Sequence, residues 1–155
     1  MVSLGLSLQF RPGCQPGDWP LTRPRLRRLV WASLPADCSQ AQITIVVMGR
    51  AEAHRLNLEF RKKDYPTNIL TFPYSPPPDL QADLVFCMPV IRAEAKSQGK
   101  PLDHHLAHLI VHGVLHAAGL DHDHESEAQA MEATETAILR RFRISDPYSE
   151  NNHRI

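Results

Sequence analysis

Cysteine is scarce: Cys14, Cys38 and Cys87 are odd in number, widely spaced and without a CxxC pair. That suits a reducing, cytoplasmic compartment better than a disulfide framework. No apolar run approaches the roughly 18 residues of a membrane-crossing helix, so no membrane partner is expected. The first ten residues lack a basic stretch and a small-residue cleavage site, and no secretory leader is expected. Net charge is also missing, since 17 basic residues balance 17 acidic ones, so overall charge does not mark a nucleic-acid binder. What is present is an ordinary soluble composition, 43% apolar and 22% charged over 155 residues. That is enough to bury a core, and it predicts one domain over residues 1–155.

The charge is uneven along the chain. Residues 1–63 carry a balance of +6 and residues 64–155 one of −6. Such a dipole can guide a polyanion to one side, or simply reflect solvated helix faces. Histidine is uneven too, with seven of nine between His104 and His124.

Alternation of Leu4, Leu6, Leu8 and Phe10 predicts a half-buried strand, and residues 11–20, rich in Pro and Gly, predict a loop. A helix is expected from a Thr22 cap, with Leu26, Leu29, Val30 and Leu34 inward and Arg25, Arg27 and Arg28 outward. Residues 43–48 read as a central strand ended by Gly49, and 51–61 as a helix. Residues 69–72 read as a short strand before a proline loop at Pro73, Pro76, Pro77 and Pro78, and 83–88 as another strand. Pro89 opens a helix. A buried helix over 103–118, with Asp103 as cap, stops at Gly119. An amphipathic helix over 125–142 precedes a polar tail, 145–155, expected to be frayed. The fold class expected is α+β: a single domain with a small four-stranded sheet, about five helices, and a metal site at the end of the buried helix.

The chemistry concentrates in His108-Leu-Ile-Val-His112-Gly-Val-Leu-His116-Ala-Ala-Gly119-Leu-Asp-His122. Four residues apart on a helix, His112 and His116 share a face and can approach one ion. Eight residues, from His108 to His116, span about 12 Å of rise, too far for a third ligand on the same helix. Gly119 ends the helix and lets the chain return His122 to the same ion. Three neutral imidazoles leave a fourth position for water, as in a catalytic zinc site. His108 is expected to orient the helix or a ligand, and His104, His105 and His124 to face solvent or substrate. Gly113 stands where HExxH metalloproteases carry their glutamate base, which disfavours peptide hydrolysis and would let a substrate or another backbone approach the metal. Asp121, Asp123 and Glu125 could hold an imidazole in its tautomer or favour the start of the last helix.

His112-Gly-Val-Leu-His116-Ala-Ala-Gly-Leu-Asp-His122 resembles the His-Gly-x-Leu-His-x-x-Gly-x-Asp-His signature of the YbeY family, metal-dependent endoribonucleases that act as ribosomal RNA maturation factors. A second block, Leu56-Asn57-Leu-Glu-Phe60-Arg61-Lys-Lys63-Asp64-Tyr-Pro66-Thr67-Asn68-Ile-Leu70-Thr-Phe72-Pro73, is similar to that family's Leu-Asn-x-x-(aromatic)-Arg-x-Lys-Asp-x-Pro-Thr-Asp-Val-Leu-Ser-Phe-Pro. Glu127, Met131, Glu132, Glu135, Ile138 and Leu139 fit a third. Asn68 departs from the usual Asp, and Ala82 from Gly.

The resemblance implies one zinc per chain on His112, His116 and His122, with Arg61 as an essential basic residue facing the cleft. It implies a single-strand-specific endoribonuclease acting on ribosomal RNA and ribosomal particles, in 16S 3′-end maturation and ribosome quality control. A metal and a guanidinium are suited to the charge that builds on phosphate oxygens. Lys62, Lys63 and the Arg25, Arg27, Arg28 face either bind RNA backbone or form an exposed basic surface. The alternatives are another zinc hydrolase, amidase- or peptidase-like, and an assembly factor with a structural metal.

Overall fold

The computed structural model describes residues 2–120 and 123–148. Four strands, β1 (Ser3–Phe10), β2 (Gln40–Met48), β3 (Ile69–Ser75) and β4 (Asp79–Cys87), form one sheet in the order β1-β2-β4-β3. The first three in that order run parallel, and β3 is antiparallel to β4 on the outer edge. Period-two alternation decides which side chains go where. Ile43, Ile45 and Val47 of β2 join Leu80, Leu84 and Phe86 of β4 in the larger core. Val46 and Met48, with Val85 and Cys87, point the other way into a smaller one.

Five helices cover the sheet: α1 (Arg23–Ser33), α2 (Arg50–Arg61), α3 (Met88–Gln98), α4 (Leu102–Ala117) and α5 (Glu125–Arg141). Thr22 caps α1, its Oγ1 accepting from the Arg25 amide at 3.4 Å. On the smaller core, α2 buries Ala53, with Leu56 packed alongside. It ends with Lys62 in the left-handed region (φ 60°), where the Lys63 amide donates to the Asn57 carbonyl. Arg61 is thereby the last helical residue. Twelve of the sixteen residues of α4 are buried, because α1, α3, α5 and the sheet all pack on it. Truncating a fully buried side chain such as Leu109 or Ile110 to Ala would cost about 2–5 kcal/mol.

Several expectations need correction. Pro73 lies inside β3, opposite Ala82, rather than in a loop. Its missing N–H is tolerated because β3 is an edge strand, and a register shift follows between Pro73 and Ser75. The strand expected at 83 begins at Asp79. The α4 cap position is Pro101, and Asp103 sits in the first turn without capping. Part of the tail expected to fray is packed: Pro147 is buried, and Lys100 Nζ donates to the Pro147 carbonyl at 3.4 Å. Residues 149–155 lie outside the described residues.

Candidate active site

The end of α2, the loop after it, β3 and α4 enclose a cleft of about 650 Å³. Arg61, His112 and His116 line it together, with Asp123 at the mouth of α5. His112 is 6% exposed and His116 is exposed. Their rings lie 6.2 Å apart between centroids and 71° between planes. Beyond them Gly119 adopts φ +108°, a backbone region that side chains disfavour, and its amide donates to the His116 carbonyl at 3.0 Å. The helix ends there, as expected of Gly119. His122 and Asp121 lie outside the described residues. Among the described residues no three His, Cys, Asp or Glu side chains are placed to hold one ion. Two of the three predicted ligands are therefore brought together.

Behind His112 stands a carboxylate that sequence reasoning missed as a site residue. Glu135 is fully buried. Its Oε2 accepts from His112 Nδ1 at 2.8 Å, and its Oε1 from His108 Nε2 at 2.8 Å and the Tyr148 hydroxyl at 2.5 Å. Burial alone would raise the carboxyl pKa, but the hydrogen bonds from His108 and His112 outweigh it and hold the group at about 2. Burial pushes the His108 pKa down despite the pull of Glu135. With Nδ1 held by Glu135, Nε2 is the nitrogen through which His112 can ligate a metal, an arrangement that raises ligand basicity. A neutral-nitrogen donor pair on one helix face, backed by a buried anion, fits a zinc-type ion. A signal for Glu135 was present: it falls on the buried stripe of α5 between Met131 and Ile138, where a carboxylate needs partners.

The other singled-out residues divide. His108 bonds Glu135, the carboxylate that also holds His112. His105 does not face solvent; it is 3% exposed and bonds Glu94 at 3.0 Å. His124 is exposed at the start of α5. Gly113 faces the sheet, not substrate: a Cβ there would lie 2.7 Å from Ile69 Cδ1 and 3.3 Å from Leu84 Cδ1. Arg25 donates to the Phe142 carbonyl at 3.4 Å, and Arg27 lies over the Trp31 ring. Neither lines the cleft, whereas Arg61 does. Asn68, the departure from Asp, accepts from the Ile69 amide at 2.7 Å and donates to both Glu94 oxygens at 3.1 and 3.3 Å.

The family model described as Endoribonuclease YbeY matches residues 27–143. An Endoribonuclease YbeY from Methylibium petroleiphilum is 46% identical over 146 residues, covering 94% of this chain and 95% of the relative. One from Acidovorax sp. is 48% identical over 149 residues, covering 94% and 96%. The solution structure of a Thermotoga maritima protein shares the fold, with a TM-score of 0.56 at 20% identity over 96% of this chain and 99% of that one. By family model and by full-length relatives, the chain belongs to the YbeY endoribonuclease family.

Proposed function

We propose that this chain is a zinc-dependent endoribonuclease that cuts single-stranded RNA in the cytoplasm, on ribosomal RNA and ribosomal particles, in 16S 3′-end maturation and ribosome quality control. The observation that carries the reading is one cleft lined by His112, His116 and Arg61, with Glu135 fixing His112 from behind.

His112, His116 and His122 would hold the zinc, which when bound supplies a Lewis acid beside the scissile phosphate. The protein's own part is positioning. Glu135 keeps the His112 proton on Nδ1 and commits the ring to one orientation. Arg61, fixed at the last residue of α2, offers a planar two-pronged donor to phosphate oxygens. Its charge favours the more highly charged transition state over the ground state. Gly113, turned into the sheet, offers no protein base of the HExxH type, which sets the site apart from peptidases.

The test is cleavage of a single-stranded RNA by the zinc-loaded protein and by Arg61→Lys. The wild type is expected to cut, and the Lys variant to keep fold and zinc yet lose about 100-fold or more in kcat/KM. Equal turnover by Arg61→Lys would reduce Arg61 to a generic positive charge. No cutting by the zinc-loaded wild type would overturn the reading.

A further inference from the structure

Two large aromatic side chains stand open in the same cleft. Phe60 is 57% exposed and Tyr65 52% exposed, and both line the cavity with Arg61, His112 and His116. Leaving such rings in water is unfavourable unless something covers them in use. The wall is built rather than loose. Phe60 stands edge-on to Phe72, with ring centroids 5.2 Å apart at 79°, and Phe72 packs into the smaller core. Tyr65 sits in the loop after α2, which is tied back to that helix twice. The buried Asn57 donates its side-chain Nδ2 to the Tyr65 carbonyl at 2.8 Å, and His54 bonds Asp64 at 2.7 Å. Both rings are thus held on elements that Arg61 shares.

We infer that Phe60 and Tyr65 form a stacking wall for unpaired RNA bases next to the phosphate held by Arg61. This rests on the nuclease reading above and deepens it. A flat π-face beside a guanidinium matches what a single strand presents, base and phosphate in alternation. The cleft offers a base a ring face and its phosphate the Arg61 guanidinium, side by side. Bases inside a duplex are already stacked on one another and cannot reach such a wall. The geometry therefore supplies a physical source for single-strand preference.

The experiment uses the zinc-loaded full chain and a single-stranded RNA carrying the fluorescent base 2-aminopurine, mixed by stopped flow, with KM and kcat measured on the same strand. Stacking quenches the probe before any cut. The wild type is expected to quench it and to show a KM about 10-fold or more lower than for a strand with an abasic residue at that site. Phe60→Leu with Tyr65→Leu keeps apolar bulk without a ring. It is expected to abolish the quench and raise KM by about 10–100-fold with a smaller change in kcat. Trp31→Leu, an exposed aromatic of α1 that does not line the cleft, serves as the control and should leave both unchanged. Quenching and KM unaltered in the double Leu variant, with cleavage intact, would overturn the wall and leave the nuclease standing. Quenching without cleavage in the wild type would support the wall and overturn the nuclease.

Discussion

Glu135 shows how a buried charge is made tolerable and then put to use. An isolated carboxylate in the core would be strongly unfavourable, yet three donors, from His112, His108 and Tyr148, converge on this one. Replacing it with Gln keeps the shape and an acceptor for His112 while removing the charge. Glu135→Gln is expected to weaken zinc binding about 10–100-fold, read by chelator competition, with far-ultraviolet circular dichroism unchanged. Unaltered affinity would make Glu135 a packing residue only. Asn68 offers a second case, because its amide donates to Glu94, a partner that an aspartate would repel. Asn68→Asp is expected to lower stability by about 1–2 kcal/mol in denaturant unfolding, and Glu94→Gln in the same chain to restore most of it. Additive losses in the double variant would contradict that coupling. The ligand pair was legible in the sequence because i, i+4 spacing is local. The partner of His112, twenty-three residues on, has no spacing rule that connects it; only its place on an apolar helix stripe marks it.

At the scale of elements, α4 does two tasks on adjoining faces. One face presents His112 and His116 to the cleft, and the other lies against β3 and β4, where Gly113 allows the close approach. The absence of a glutamate at 113 therefore has a packing cause as well as a chemical one. Gly113→Glu would drive a carboxylate into Ile69 and Leu84, combining overpacking with an unpaired buried charge. It is expected to give no folded protein, checked by circular dichroism and size-exclusion chromatography. A folded Glu variant would contradict the packing seen here. The helices and strands were legible from local signals: alternation in β1, a β-branched apolar run in β2, and apolar stripes in α1 and α5. Pro73 was misread because a proline's tolerance depends on whether its strand lies at the sheet edge, and strand order is not written in any local segment. The packing of Pro147 and Tyr148 was missed for a related reason: their anchors, Lys100, Glu135 and His108, lie elsewhere in the chain.

Across the whole molecule, the basic first part of the chain and the histidine-bearing second part meet at the cleft. Arg61 comes from the half with a balance of +6, while His112 and His116 come from the half with −6. The proposed function places one zinc on three histidines, His112 and His116 of α4 and His122 beyond it in sequence. The most direct test is zinc content per chain, measured by mass spectrometry on the purified wild type and on alanine variants of individual histidines. The wild type should carry about one zinc, His112→Ala, His116→Ala and His122→Ala should each lose most of it, and His105→Ala should retain it. Zinc stripped by His108→Ala but kept by His122→Ala would contradict the account.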